Sequence, residues 1–203
     1  IACIDHPVVA ELIPEFHRKT ITYGFSDKAD IQAVNVVSTP EGLVYDVKIN
    51  DPHLTNFPRE IKGVKLPMFG PHNVVNSLTT FAVGHEIGIP AEQIATSLVK
   101  FAGVKRRFTT TGIVNDITVI DDFAHNPDKI AATLKTLHAF DGRLLILFQP
   151  HGFGPLKLMK DEFIDGFAGL LRPDDVLLMP EPVYYGGTTD RSGSSQDIVS
   201  GVR

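Results

Sequence analysis

The sequence of 203 residues has no tryptophan, a single cysteine and no long apolar segment. Because Cys3 has no second cysteine to pair with, an internal disulfide is excluded, as is usual for proteins of a reducing compartment. No apolar run approaches the ~18 residues that a membrane-spanning helix requires. No signal peptide is recognisable, although the chain begins at Ile1 and its true start is expected to lie upstream. These features favour a cytoplasmic protein that does not contact a membrane.

An excess of positive charge is also missing. Lysine and arginine total 19 against 24 aspartates and glutamates, a formal net charge of −5. This argues against a sequence-independent nucleic-acid-binding protein, which usually carries a basic stripe. The local exception is Lys105-Arg106-Arg107, which could form an anion site. An apolar fraction of 43% is typical of a globular chain, and the length predicts one or two domains.

The first half of the chain predicts a partial α/β unit with a small antiparallel sheet. Apolar residues alternate over residues 33–49 around the turn Pro40-Glu41-Gly42, which predicts a β-hairpin. Near the N-terminus, Asp5 is expected to cap a helix that has Pro7 in its first turn. Two helices with apolar faces are predicted at 73–87 and 90–101.

The second half predicts a Rossmann-like domain with a mostly parallel sheet. A hairpin over 107–121 is followed by alternating helices and strands, and the apolar strands are expected to be covered on both faces. The predicted elements are a helix at 128–140, a strand at 144–148, a helix at 156–171 and a strand at 176–179. The domain boundary is predicted at 103–107, giving domains 1–104 and 105–203. A flexible loop is expected at 186–195, on the ligand side of the sheet.

Polar side chains follow the strand that ends at Ile120, in the segment Asp121-Asp122-Phe123-Ala124-His125-Asn126-Pro127. Pro127 then begins a helix, as proline often does at a first helical position. Ligands of open α/β sheets bind in such strand-to-helix crevices. No cluster has the spacing of a zinc site, and no metal ligands are predicted.

This segment and three others, in the same order, resemble the Mur ligases, the ATP-dependent amide-forming enzymes of bacterial cell-wall synthesis. Gly70-Pro71-His72-Asn73-Val74-Val75-Asn76 resembles the family's H-N-x-x-N motif. Residues 101–108 resemble the stretch that joins the central and C-terminal domains. Phe148-Gln149-Pro150-His151 resembles the Q-P-H signature of the branch that adds L-alanine to UDP-N-acetylmuramate.

The resemblance implies a nucleotide site. Asp122, with Asp121 beside it, would accept hydrogen bonds from the ribose hydroxyls of ATP. Asn73 and Asn76, with His72, would lie at the adenine, and Arg107 would contact the nucleotide. The alternatives are that one of the two aspartates caps the following helix and that Asn73 is an N-cap.

The resemblance also implies catalytic positions. His125 would lie near the phosphates or the reacting carboxyl group, and His151 would belong to the amino-acid site. The alternative for His125 is a histidine hydrogen-bonded within the strand–helix turn. Lys105 and Arg106 are interpreted as solvated charges or salt-bridge partners, and His138 as structural.

By resemblance, the substrates would be a UDP-N-acetylmuramate-type nucleotide sugar and an amino acid or peptide, with ATP and Mg²⁺ as cofactors. The sequence contains no G-x-x-x-x-G-K-[ST] phosphate loop. We therefore expect residues 1–104 to be the end of the family's central domain and residues 105–203 a truncated C-terminal domain. The magnesium ligands would lie mainly outside this chain, and the chain alone would be inactive. The sequence gives no indication of an oligomeric state.

Three alternatives remain open: a non-catalytic nucleotide-binding module, a murein-tripeptide recycling ligase and a folylpolyglutamate-type ligase. Gly152 and Pro155 occupy the positions where the alanine-adding branch has two arginines facing the substrate. Either another cation replaces them or the acceptor is not L-alanine, and Phe123 in place of a tyrosine points the same way. The candidate cations are Lys157, Lys160 and Arg191.

Overall fold

The computed structural model describes residues 1–184, 186, 188 and 190–202. The chain divides into two compact units, Ile1–Val104 and Lys105–Arg203. The predicted loop at 186–195 includes residues 187 and 189, which lie outside the described residues. None of the helices described is long and apolar enough to cross a membrane.

The first unit is built on one five-stranded sheet in the order β1-β2-β3-β4-β5. Its strands are β1 (Ala2–Cys3), β2 (Thr22–Gly24), β3 (Ile31–Thr39), β4 (Gly42–Ile49) and β5 (Glu60–Leu66). Its helices are α1 (Pro7–Leu12), a short 3₁₀ turn (Ile13–Glu15), α2 (Pro71–Glu86) and α3 (Ala91–Val99).

Parallel and antiparallel strands share this sheet. β1, β2 and β3 are parallel, whereas β3, β4 and β5 are antiparallel. The α/β class is confirmed, but the antiparallel part is continuous with the parallel strands because β3 pairs on both sides at its start. There Ile31 lies opposite Tyr23 on β2 and opposite Ile49 on β4.

The core of the first unit lies between this sheet and helices α2 and α3. Tyr45 and Val47 from the sheet and Leu78 and Phe81 from α2 are fully buried. Apolar burial of this kind is the main favourable term in folding. It also fixes the start of α2, where three of the candidate site residues lie.

The expected role of Asp5 is wrong. The residue that precedes α1 is His6, which makes no side-chain cap. The carboxylate of Asp5 instead accepts hydrogen bonds from the backbone N–H groups of Phe25 (2.8 Å) and Ser26 (3.0 Å). These groups, just after β2, would otherwise lack partners, and unpaired backbone donors are costly.

The second unit contains a hairpin and a parallel strand pair. Its strands are β6 (Thr109–Val114), β7 (Ile117–Asp121), β8 (Leu145–Leu147) and β9 (Val176–Leu178). Its helices are α4 (Pro127–Leu137), α5 (Phe153–Leu158), α6 (Lys160–Leu170) and α7 (Ser195–Gly201). The helix predicted at 156–171 is therefore two helices, separated at Met159.

A two-residue turn joins β6 to β7, because Val114 pairs with Ile117. Both turn residues have positive φ, 49° at Asn115 and 63° at Asp116. This combination is the type I′ turn, which matches the twist of a hairpin.

The β8–β9 pair is parallel, with Leu145 opposite Val176 and Leu147 opposite Leu178. Ile146 and Leu177 pack against a core that contains Phe148, Phe163 and Phe167. The other face was expected to be covered, and this expectation is not met in the part of the chain that the structure describes. Leu147 is 73% exposed and Leu178 57% exposed. The core here lies on one side of the strands only.

Candidate functional site

Asp122 lies at the end of β7 with its carboxylate held by the backbone. Its Oδ2 accepts the N–H of Phe108 at 2.8 Å, and its Oδ1 accepts the N–H of Ala124 at 2.7 Å. The residue therefore joins the segment leading into β6 to the segment leaving β7. An ionised carboxylate has about four lone-pair directions, so two remain for other donors.

The interpretation of Asp121 or Asp122 as a helix cap is wrong. The N-cap of α4 is Asn126, whose Oδ1 accepts the N–H of Lys129 at 3.0 Å. Asn126 has extended dihedral angles, as an N-cap residue requires. The two aspartates are thus not needed for the helix.

Arg106 connects the neighbouring aspartate to an aromatic ring. Its Nε is 3.6 Å from Oδ2 of Asp121, and its guanidinium carbon is 4.7 Å from the ring centre of Phe123. The alternative that made Arg106 a salt-bridge partner is confirmed. Arg107, in contrast, is exposed, between two residues with positive φ, Arg106 (60°) and Phe108 (52°).

His125 is hydrogen-bonded through both ring nitrogens. Its Nδ1 is 2.9 Å from the carbonyl oxygen of Phe123, and its Nε2 is 3.4 Å from Nζ of Lys129. A carbonyl only accepts and an ammonium only donates, so the neutral Nδ1–H tautomer fits both contacts. The predicted turn hydrogen bond is present, together with a lysine that the sequence reasoning did not identify.

His151 completes a cluster of rings. Its ring centre is 6.3 Å from that of Phe123 and 6.1 Å from that of His125. It lies four residues after the end of β8, whereas Phe123 and His125 follow β7, so the segments after both strands contribute to the cluster. The structure therefore brings His125 and His151 together beside Phe123, whose ring also contacts Arg106, the ion-pair partner of Asp121. Asp122 contacts backbone N–H groups instead.

The first unit carries a second group of candidates at the start of α2. Gly70 is the N-cap, and Pro71 opens the helix. Asn73 is therefore not the N-cap; it is 9% exposed, and its Nδ2 donates to the carbonyl of Phe69 at 2.7 Å. Asn76 is exposed one turn along, and His72 is half-buried.

Two of the three cations considered for an amino-acid carboxylate have direct protein partners. Lys157 donates to Oδ2 of Asp190 at 2.7 Å and to Oγ of Ser192 at 2.9 Å. The ammonium of Lys157, with hydrogen bonds from Ser192, lowers the pKa of Asp190 to about 2. The guanidinium of Arg191 lies 3.9 Å from the ring centre of Tyr184.

Lys160 lies near the N-terminal cap of α7. Hydrogen bonds from the backbone and side chain of Ser194 lower the pKa of Asp197, and the charge of Lys160 adds to that effect. A substrate carboxylate would compete with these internal partners. No cluster of three or more histidine, cysteine or acidic side chains suited to a metal ion occurs among the residues described.

The family model described as Mur ligase, glutamate ligase domain, matches residues 106–203. UDP-N-acetylmuramate--L-alanine ligase of Rhodospirillum centenum is 41% identical over 203 residues, which are 99% of this chain and 41% of that protein. The chain belongs to the Mur ligase family. The ligase of the same name from Gluconobacter oxydans is 39% identical, over 100% of this chain and 42% of its own length. This Mur ligase chain thus spans about two fifths of the length of these relatives.

Solved structures of Mur ligases resemble the chain as well. UDP-N-acetylmuramate-alanine ligase MurC of Thermotoga maritima is 26% identical with a TM-score of 0.60, over 80% of this chain and 34% of its own. A murein peptide ligase of Psychrobacter arcticus is 28% identical with a TM-score of 0.57, over 89% and 35%. Folylpolyglutamate synthase of Mycobacterium tuberculosis, 18% identical with a TM-score of 0.63 over 96% and 39%, shares the fold.

Proposed function

We propose that this chain is part of an ATP-dependent ligase that joins an amino acid or peptide to UDP-N-acetylmuramate or a closely related acid. The observation that carries this proposal is the identity of about 40%, over the whole chain, to two proteins named UDP-N-acetylmuramate--L-alanine ligase. In this proposal residues 1–104 belong to the central domain and residues 105–203 form the C-terminal domain.

The reaction would proceed through an acyl phosphate. The substrate carboxylate attacks the γ-phosphorus of ATP, and ADP leaves. The amine of the acceptor then attacks the acyl carbon, inorganic phosphate leaves, and the amine loses a proton. Catalysis of phosphoryl transfer relies on positioning and on stabilisation of charge. In this proposal the magnesium ion would be held mainly by residues outside this chain.

The proposed nucleotide contacts use atoms that can form further hydrogen bonds in addition to those they make within the protein. Asp122 has two lone-pair directions left for the ribose hydroxyls. Asn73 uses one N–H for Phe69 and keeps its amide oxygen and a second N–H for the adenine edge, with Asn76 beside it. His72, Asp121 and Arg107 would complete these contacts.

The acceptor roles are proposed for the ring cluster at the ends of β7 and β8. His125 and His151 would lie beside the reacting carboxyl group and the incoming amine. Gly152 and Pro155 offer no cation there, and the nearest basic side chain on α5, Lys157, is paired with Asp190. Both alternatives are therefore kept in this proposal: either another cation replaces the two arginines, or the acceptor is not free L-alanine. The 28% identity to a murein peptide ligase makes a peptide acceptor the second candidate.

The test is a screen of the full-length gene product with ATP and UDP-N-acetylmuramate. Phosphate release is measured with L-alanine, other amino acids and the murein tripeptide. We expect release that depends on one amine acceptor. Absence of acceptor-dependent release would instead support a non-catalytic nucleotide-binding module. The 203-residue chain alone, without a phosphate-loop motif, is the negative control.

The specificity argument has its own controls. Lys157, Lys160 and Arg191 are each changed to alanine in the full-length protein. A clear preference for L-alanine that none of these changes diminishes would refute the argument from Gly152 and Pro155, while leaving the ligase assignment intact.

A further inference from the structure

We propose that Lys129, in the first turn of α4, donates a hydrogen bond to an anionic oxygen of the ligand, and that His125 positions it. This inference rests on the proposed function and names a residue for the same site. It also gives His125 a defined role, that of a hydrogen-bond acceptor.

The hydrogen bonds at His125 determine which of its ring nitrogens holds the proton. Nδ1 faces the carbonyl oxygen of Phe123 at 2.9 Å, so this nitrogen holds the ring proton. Nε2 then has only a lone pair, which accepts from the ammonium of Lys129 at 3.4 Å. In this tautomer Nε2 has no proton to offer an oxyanion. The ammonium has three N–H bonds, of which His125 takes one.

Lys129 lies at a position in α4 that is unfavourable for a cation. It is the third residue of α4, and its own backbone N–H is capped by Asn126. A cation in the first turn of a helix opposes the helix dipole and is mildly unfavourable. Lysine is therefore a poor choice for helix stability at this position, although it suits a site that receives negative charge.

The hydrogen-bonded pair of His125 and Lys129 lies beside other aromatic rings. The His125 ring also contacts those of Phe123, with ring centres 5.1 Å apart, and His151, at 6.1 Å, so rotation of the ring would disturb these contacts. The neighbouring charge on α4 is Asp128, which is exposed. Lys129 is half-buried, and its ammonium is held at the cluster by the hydrogen bond to Nε2 of His125. A phosphate or carboxylate oxygen at the cluster would meet the two remaining ammonium N–H bonds.

The experiment uses the 203-residue chain with ¹⁵N-labelled histidine and lysine. ¹⁵N shifts of the imidazole nitrogens, recorded above the ordinary titration range of histidine, identify the tautomer of His125, and a His125→Gln variant assigns its signals. We expect the Nδ1–H form in the wild type. Inorganic phosphate is then titrated, and the dissociation constant is read from the shifts of His125.

Three variants separate the roles. Lys129→Met keeps the length of the side chain without its charge, and phosphate binding at His125 should weaken roughly tenfold or more, as expected for the loss of a charge-assisted hydrogen bond. Lys129→Arg should keep most of the binding. Lys135→Met, on the last turn of the same helix, makes the same change in net charge and should leave binding unchanged.

A purely structural role for Lys129 predicts that Lys129→Met lowers the thermal midpoint. The proposal predicts instead a midpoint equal to or above that of the wild type, because the unfavourable interaction with the dipole is removed. The proposal is overturned by an Nε2–H tautomer in the wild type, by phosphate affinity at His125 that Lys129→Met leaves unchanged, or by no phosphate response at all. These readouts do not involve ligase activity, so failure of the proposed function would appear separately, in the acceptor screen.

Discussion

The carboxylate of Asp122 receives two backbone N–H groups, and a change of this side chain tests how much they matter. Asp122→Asn keeps the size of the side chain but has one acceptor oxygen, so the N–H of Phe108 or of Ala124 loses its partner. We expect a loss of about 1–3 kcal/mol in the free energy of unfolding of the second unit, the usual cost of an unsatisfied, partly buried polar group. Urea denaturation followed by circular dichroism measures it.

Asp121→Asn is the matched control for this change. Asp121 contacts Arg106 through a solvent-exposed ion pair, and such pairs contribute about 0–1 kcal/mol. Equal destabilisation by the two substitutions would contradict the structural role assigned to Asp122.

Sequence reasoning could place these residues but not their partners. Asp122, His125 and His151 follow predicted strands, where the ligand contacts of α/β sheets are expected. The contact between His125 and His151 was not foreseen, because β7 and β8 belong to different sheets. The helix cap, in contrast, was predictable: Pro127 was expected to begin the helix, which makes the residue before it, Asn126, the N-cap. The interpretation that one of the two aspartates is the cap overlooked this. Lys129 was missed because a lysine on the polar face of a predicted helix carries no signal of its own.

At the scale of elements, the start of α4 depends on the side chain of Asn126. Asn126→Ala removes the oxygen that accepts the N–H of Lys129 and should destabilise the second unit by about 1 kcal/mol. Asn126→Asp retains an acceptor at the same position and should cost less. Thermal unfolding of the two variants compares them, and an alanine variant as stable as the aspartate variant would show that the cap is not used.

The other end of α4 is fastened by a buried carboxylate. Asp175 accepts the N–H of Leu144 at 2.7 Å, the N–H of Arg172 at 2.9 Å and Nε2 of His138 at 3.0 Å. Burial by itself would raise the pKa of Asp175, but these three hydrogen bonds outweigh it and lower the pKa. Asp175 therefore joins the end of α4 to the segments that lead into β8 and β9, and the interpretation of His138 as a structural residue agrees with this contact.

This arrangement predicts an acid dependence. Because the folded pKa of Asp175 lies below the unfolded value, its contribution to stability is present above the unfolded value, near 4, and declines as the pH falls through the folded value. Asp175→Asn should remove this part of the pH dependence. The free energy of unfolding of both proteins, measured from neutral to acidic pH, gives the comparison, and parallel curves would contradict the prediction.

For the whole molecule, the two units differ in the size of their cores. The first buries eighteen apolar residues in one cluster, whereas the described part of the second buries seven. Since buried apolar surface provides most of the stability of a fold, we expect residues 105–203 to unfold at lower urea concentration than residues 1–104. Hydrogen exchange with mass spectrometry resolves the two units, and simultaneous loss of protection in both would contradict this.

The architecture of each unit was only partly predictable from the sequence. Alternating strands and helices indicated the α/β class, because their hydrophobic periods differ. The joining of parallel and antiparallel strands through β3 was not foreseen, since pairing partners are not encoded in the period of a single strand. The exposed face of β8 and β9 was not predicted, because the continuous apolar run of residues 144–148 has the pattern of a strand that is buried on both faces.

The turn between β6 and β7 offers a route to a more heat-resistant protein. Asp116 holds a left-handed backbone conformation that glycine adopts without steric cost, and Asn-Gly is the preferred pair for this turn. Asp116→Gly should raise the free energy of unfolding of the second unit by roughly 0.5 kcal/mol, which corresponds to ~2–4 °C in the thermal midpoint of a domain of this size. Asn115→Gly, which gives up the favoured first residue of the pair, should gain less. Differential scanning calorimetry of both variants ranks them, and a lower midpoint for Asp116→Gly would remove this position from any stabilisation scheme.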